Sequence, residues 1–432
     1  MAIVIFWFRR DLRLTDNVAL HHAMADGRAV LPLFIFDTDI LGKLSSPADD
    51  RVAFIHQALS RLNQTMNLSG SALLVEHGSP ARVWEDLLQR FEIGAVYANH
   101  DYEPYARRRD EMVGKLLKNR GIPFNTYKDQ VIFEKEEITK DDGKPYTVFT
   151  PYSRKWRARL TENPELPVPL AHPLNWAANN TLLPTLAQIG FRPTGTVFPD
   201  AVVSDDLISR YGDQRDFPAL EGTSRLGIHL RFGTLSIREL LAKSQSISTT
   251  FVNELIWRDF YQMILWHFPH VESASFKPAY DQIEWLNDEA LFDRWKSGDT
   301  GYPLVDAGMR QLAATGWMHN RVRMVVASFL AKHLLTDWRW GEAWFAEKLN
   351  DYELASNNGG WQWAAGSGCD AAPYFRVFSP LLQAQKFDPK GAYIARWVPE
   401  AGLPGYLKPI VDHPLARERA IRTYKAGLER RV

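Results

Sequence analysis

The chain predicts a two-part fold: an α/β N-terminal domain with a parallel, Rossmann-like sheet, and an all-α C-terminal domain. Three observations carry this expectation. The first ~130 residues alternate short continuous apolar runs with amphipathic stretches, the pattern of strands and helices in a wrapped parallel sheet. Apolar residues beyond about residue 200 recur at helical spacing almost to the end. At 432 residues the chain is also too long for one ordinary domain. The reading assigns residues 1–130 to the α/β domain, 131–199 to an interdomain linker and 200–432 to the helical domain.

In order, "AIVIFWF" is a buried strand. "TDNVALHHAMA" is a helix with Asp16 or Thr15 as the candidate cap. "AVLPLFIFD" is a second strand, and "RVAFIHQALSRLNQTM" has helical spacing. "ALLVEHG", "ARVWEDLLQRFE" and "AVYANHD" continue the alternation. Parallel sheets bind ligands at the carboxyl ends of their strands, which marks Phe36, Asp37, Asn99 and Asp101. No GxGxxG follows the first strand and no P-loop is present, so a standard dinucleotide or triphosphate site is unsupported. From about Asp141 to Pro199 the texture turns rich in Pro and Asn with little periodicity, as a linker does. Beyond it, "VNELIWRDFYQMILWHF" and "YPLVDAGMRQLAATGW" are helical, the second opened by Pro303. "RMVVASFLAKHLLTDW" is apolar nearly all round and therefore deeply buried.

Composition excludes more than it selects. Lys and Arg total 51 and Asp and Glu 51, so any polyanion must meet a local basic patch rather than a global field. One cysteine, Cys369, rules out an internal disulfide and a cysteine-rich metal site, and suits a reducing compartment. The N-terminus lacks the pattern of a signal peptide, and no run approaches a membrane span. The expectation is a soluble, cytoplasmic, monomeric protein. Of 15 Trp, eleven lie beyond residue 250: aromatic core filler, or a π-rich site for planar ligands.

Four constellations carry chemistry. Gly222-Thr223-Ser224 with Arg225 offers hydroxyls, free N–H groups and a positive charge before a helical run, either an anion cradle or an ordinary cap. Glu254, Trp257 and Arg258 fall at i, i+3 and i+4 on one helix face, where they bind a flat polar group or make a salt bridge beside a core indole. In "GWMHNRVRM", Asn320 and Met324 lie four apart, flanked by Arg321 and Arg323. That is a base-reading face or merely a polar one. Finally "ASNNGGWQWAAGSGCDAAPYFR" sets two Asn and two Gly beside Trp361 and Trp363. Adjacent glycines mean that something approaches the backbone closely.

Together "FWFRRDLRLTDN", "TSRL", "NELIWRDFY", "TGYPLVDAGMRQL", "GWMHNRVRM" and "NNGGWQWAAGSGCDAAPYFR" resemble the DNA photolyase/cryptochrome family over nearly the whole chain. Within it the chain looks most like the class I cyclobutane pyrimidine dimer branch. The resemblance implies FAD held by the helical domain, with Tyr211, Thr223, Ser224, Arg225 and Leu226 at its diphosphate. It implies Asn357 at the reactive ring nitrogen, an Arg323–Asp351 ion pair beside the isoalloxazine, and Glu353 where many members have Asp. It implies damaged DNA as partner: Trp257 and Trp363 stacking on a flipped-out dimer, Met324 packing on it, Asn320 and Glu254 reaching its polar edge. Arg215, Arg258, Arg321 and Arg376 would meet backbone phosphates, and Trp361, Trp338 and Trp285 would form an electron path to the surface. The activity implied is light-driven dimer repair.

The alternatives are a cryptochrome-type photoreceptor, a six-four photolyase and a non-photoactive DNA-binding module. The chain shows no long C-terminal extension of the cryptochrome kind, and His319-Asn320-Arg321 with Met324 departs from the six-four His pair. For a second, antenna chromophore, Tyr105 and Ala106 stand where folate-binding members carry an Asn-Glu pair. "YEPYARRRD" therefore favours a deazaflavin or flavin near Phe36, Asp37, Asp101 and Tyr105, or an empty site.

Overall fold

Five short segments in the first 130 residues pair side by side as strands of one parallel sheet. The strands are β1 (Ile3–Phe8), β2 (Val30–Asp37), β3 (Leu74–Gly78), β4 (Ile93–Asn99) and β5 (Phe124–Tyr127), in the order β3-β2-β1-β4-β5. Register runs straight across the centre, with Ile5 opposite Leu31 and Val96. Alternate β1 residues feed two separate cores. Val4, Phe6 and Phe8 pack on one face, Ile5 and Trp7 on the other, so the strand reads as unbroken apolar sequence. Helices Val18–Ala25, Asp50–Asn67, Pro80–Arg90 and Pro104–Lys118 make the crossovers.

This computed structural model describes residues 2–169 and 174–430. The chain divides into two units of interleaved segments. The first comprises Met1–Glu137, Trp156–Val203 and Arg225–Leu255; the second comprises Ile138–Lys155, Ser204–Ser224 and Ile256–Val432. The α/β and all-α characters expected for the two parts are those observed. Within 131–199, read from the sequence as linker, lies the helix Phe149–Glu162, whose first turns belong to the second unit.

Two local readings change. The cap of Val18–Ala25 is neither Thr15 nor Asp16 but Asn17, whose side-chain oxygen accepts from the Leu20 N–H. Asp16 instead takes a left-handed φ of 45° and turns its carboxylate into a buried ionic cluster. There Arg238 bonds Asp16 at 2.9 Å and Asp129 at 2.8 Å, and Arg13 meets Asp129 at 2.7 Å. Burial works against the Asp129 charge, but Arg13 and Arg238 outweigh it and hold the carboxyl below its ordinary range. The second change is β5. Its sequence, Phe-Asn-Thr-Tyr, is a half-exposed edge strand with no apolar run to announce it.

The second unit is a helical core around Trp295, Trp338, Trp361 and the helix Pro303–Thr315. The apolar stretch after Arg323 is buried as expected, but it is not one α-helix. Asn320–Ser328 passes into a π-turn, Phe329–His333, where the Leu334 N–H reaches the Phe329 carbonyl at 3.1 Å. The wider turn carries Lys332 inward. Its ammonium donates to the Arg376 carbonyl at 2.8 Å, and burial pulls its pKa down to about 7.

Among the described residues no helix is long and apolar enough to cross a membrane. Replacing Arg238 by Met leaves two buried carboxylates short of a partner, which costs about 3–5 kcal/mol. Denaturant unfolding of Arg238→Met should show a correspondingly lower midpoint.

Candidate functional site

The helix Leu354–Ala365 organises the site. Its sequence has poor intrinsic helicity, with Gly359 and Gly360 in mid-run. Packing explains the first glycine: a Cβ at 359 would stand 2.3 Å from the Tyr261 ring. Gly360 faces open space, with nothing within 4 Å of the same position. On the neighbouring helix Trp338–Lys348, Gly341 lies directly under the Trp361 indole, where a Cβ would come within 2.0 Å of the ring. Trp361 is buried, edge-on to Trp295 at 6.1 Å and to Phe345 at 5.0 Å. Trp361 and Trp338 share one apolar core, and half-buried Trp285 packs against it. The indole N–H groups of Trp361 and Trp338 are buried without an acceptor among the described residues.

One turn from Trp361, the Asn357 side-chain amide donates to the Glu342 carboxylate at 2.8 Å and to its carbonyl at 3.1 Å. Glu342 therefore fixes which way this amide points. Burial pushes Glu342 up to about 7; the Asn357 bond opposes that shift only in part. Arg323 and Asp351 form the expected ion pair, two bonds at 2.9 and 3.1 Å.

Four predicted lesion and phosphate residues converge. Arg321, Met324, Trp363 and Arg376 line one open cleft of ≈ 440 Å³, joined by Phe378, Gln383, Lys386 and Phe387. Arg321 lies over the Phe387 ring at 4.4 Å and bonds Asp216 at 2.6 Å, so part of its charge is already met. The sequence reading missed Lys386, Phe387 and Phe378. Their only signal was a basic and aromatic texture after Arg376, too common to single out.

Other calls change. Arg258 is not at a cavity mouth: it is buried, and its guanidinium meets Glu353 at 2.8 Å. A phosphate contact is thereby corrected to an internal ion pair, since a buried carboxylate requires a counter-charge. The other Glu353 oxygen accepts from the Ser356 hydroxyl at 3.2 Å. Asn320 is the exposed first residue of its helix, and Trp257 does not line the cleft; it stacks on Phe149 at 3.6 Å. Glu254 shares Thr249–His267 with Trp257 but falls in the first unit. Arg215 lies over the Tyr211 ring at 5.4 Å. Of the cradle, Gly222 is glycine because a Cβ would stand 2.6 Å from the Gln214 side chain. Arg225 is exposed in a left-handed φ of 52°, and the Leu226 side chain is core. Thr223 and Ser224 are half-buried.

At the strand ends of the sheet, Phe36 is core and Asn99 is saturated by Asp11, Asn17 and the Ala19 N–H. Those two are framework, which corrects their reading as ligand contacts. Asp37 accepts from the Tyr105 hydroxyl at 2.6 Å, and burial raises its pKa. Burial likewise opposes the Asp101 charge, yet Arg10, Arg109, Arg231 and Arg9 prevail and bring it to about 2.

A cleft edged by cations and aromatic rings suits a polyanion with flat groups, such as a nucleic acid. The comparisons are specific. Residues 4–171 match the DNA photolyase family model, and 251–403 match the FAD binding domain of DNA photolyase. A deoxyribodipyrimidine photo-lyase of Halobacterium salinarum is 39% identical, the match covering 98% of each chain. A solved bacterial class III photolyase from Agrobacterium tumefaciens superposes with a TM-score of 0.87 at 34% identity, over 100% of this chain and 98% of that one. An archaeal photolyase from Sulfolobus tokodaii, solved with two FAD molecules, gives 0.82 at 34% identity, over 98% and 99%. The chain belongs to the DNA photolyase family.

The residues present fit a flavin nucleotide. Gln262, 3% exposed, has neither amide atom paired among the described residues, so a donor and an acceptor remain for a polar group. Gly360 leaves open space beside Asn357, and Arg225 holds the strained backbone typical of a ligand clamp.

The raised Glu342 pKa has a sign. The folded state holds this proton more tightly than the unfolded chain, so stability declines as pH rises from 4.5 toward about 7. Glu342→Gln keeps an acceptor for Asn357 and removes the titration. Unfolding midpoints across that range should be flatter than in the parent.

Proposed function

We propose that this chain is a light-driven DNA repair enzyme that uses FAD to split cyclobutane pyrimidine dimers. The observation that carries the reading is the cleft in which Trp363 and Met324 stand beside Arg321, Arg376 and Lys386. Flat and cationic groups together suit two joined, flipped-out neighbouring bases flanked by phosphates.

Bound FAD supplies the light-driven electron; the protein's own groups bind, orient and shield. Trp363 offers a stacking face worth ~1–3 kcal/mol per base. Trp257 provides the second indole. Met324 packs against the dimer, and Asn320 and Glu254 reach its carbonyl and amide edge. Glu254 is placed to meet charge developing on the dimer. Arg321, Arg376, Arg215 and the newly found Lys386 pair with backbone phosphates. Tyr211, Thr223, Ser224, Arg225 and Leu226 hold the FAD diphosphate. Arg323, Asp351, Glu353 and Asn357, its amide held by Glu342, would hold the flavin ring. Trp361, Trp338 and Trp285 serve as a path for electrons from the surface. A second chromophore, deazaflavin or flavin rather than folate, would lie near Asp37, Asp101 and Tyr105 at the strand ends.

The test is repair of a single thymine dimer in a short oligonucleotide by previously reduced protein. Repair in light and none in the dark is expected; bound flavin and bound dimer without repair would point to a photosensor instead. Trp361→Phe should slow light-induced reduction of the oxidised protein by about tenfold or more while prereduced enzyme still repairs. Equal loss of both activities would remove the proposed electron path.

A further inference from the structure

Trp257 has a partner that neither the sequence pattern nor its helix supplies. Phe149, more than a hundred positions earlier, lies flat against the indole, with ring centroids 3.6 Å apart and planes inclined by 3°. Both residues belong to the second unit. Face-to-face overlap this close is not what two aromatic rings choose alone, since offset and edge-on arrangements are favoured. Something else must therefore hold the pair.

Two contacts do. The Phe149 N–H, an orphan donor at the start of its helix, gives a 2.9 Å hydrogen bond to the Asp370 carboxylate. Phe260 stands edge-on to both rings, 5.8 Å from Phe149 and 5.6 Å from Trp257. Asp370 lies in the loop beyond Trp363, and the two line the same small cavity of ≈ 20 Å³ together with Tyr261 and Gly359. Tyr261 is in turn 5.4 Å from Trp257. Asp370, which anchors Phe149, and Tyr261, which neighbours Trp257, thus border the same cavity as Trp363.

We infer that Phe149, pinned by Asp370, is a positioning residue for lesion recognition: it backs the Trp257 indole and leaves one face for the damaged bases. The inference rests on the reading of Trp257 as a lesion-stacking residue. A half-buried indole without backing can rotate; one held against a fixed ring presents its free face at one height and angle. Phe149 and Asp370 touch neither the bases nor the cofactor in this account. They act through Trp257.

The experiment uses full-length, FAD-loaded protein and an oligonucleotide with one thymine dimer. It measures the dissociation constant with and without the lesion, and repair yield at saturation. Phe149→Leu preserves apolar volume but cannot stack. It should weaken lesion binding about threefold to tenfold, with undamaged DNA affinity and saturating yield unchanged. Phe149→Tyr, which keeps the flat ring, should bind like the parent. Trp257→Ala should bind more weakly still, and adding Phe149→Leu to it should cost nothing further.

Parent-like lesion binding by Phe149→Leu beside a weakened Trp257→Ala would overturn the inference and spare the reading. So would losses that simply add in the double variant. Parent-like binding by Trp257→Ala would sink the reading itself. If Phe149→Leu fails to fold, Asp370→Asn, which weakens the anchor without emptying the core, should show a smaller loss of the same kind. Parent-like lesion affinity there would equally overturn the inference.

Discussion

Much of the second unit depends on one close approach, between the helices Trp338–Lys348 and Leu354–Ala365. Position 341 carries no side chain, so the Trp361 indole lies against bare backbone. That separation lets Glu342 reach Asn357 and lets Trp361 meet Trp295. A methyl group at 341 would have to displace the indole or the helix. Either movement would change the direction of the Asn357 amide and the spacing of the buried aromatic rings at once. Helix contact, amide orientation and the arrangement of indoles are thus one constraint.

Buried charge is the second theme. Arg258 with Glu353, and Arg238 with Asp16 and Asp129, are ion pairs whose members are almost out of contact with water. Desolvation makes such pairs poor sources of net stability, but removing one member is expensive. Their effect is to fix geometry: each permits one arrangement of the elements it joins. Lys332 goes further, since its partner is a carbonyl rather than a carboxylate. The π-turn places it there, and its ammonium steadies the backbone of the residue whose side chain lines the cleft.

The sequence was most legible where one physical rule operated alone. Unbroken apolar runs announced β1 and β2 because both of their faces are covered, and helical spacing with Pro303 announced Pro303–Thr315. The grouping of Trp363, Met324, Arg321 and Arg376 was read through family likeness, since spacing alone left each constellation open. Where long-range packing decided, the sequence was silent or misleading. Nothing local to Phe149 says that it will lie on Trp257, and nothing in Arg258 distinguishes a buried partner of Glu353 from a solvent-facing cation. The Phe149–Glu162 helix was hidden by the Pro- and Asn-rich segment after it, and β5 by its four polar or aromatic residues. The π-turn left no trace, because its residues are as apolar as those of the helix it extends.

The order of segments in the two units has a consequence for the gene. Each unit is assembled from three separate stretches, so the polypeptide passes from one to the other five times between residues 137 and 256. No single cut of the coding sequence separates them. A fragment ending at residue 137 lacks the residues from 225 to 255 that complete the first unit, and a fragment beginning at 256 lacks the stretch that carries Phe149. The halves could not readily have been acquired by joining two independent reading frames in tandem, nor can recombination at one point exchange either of them whole.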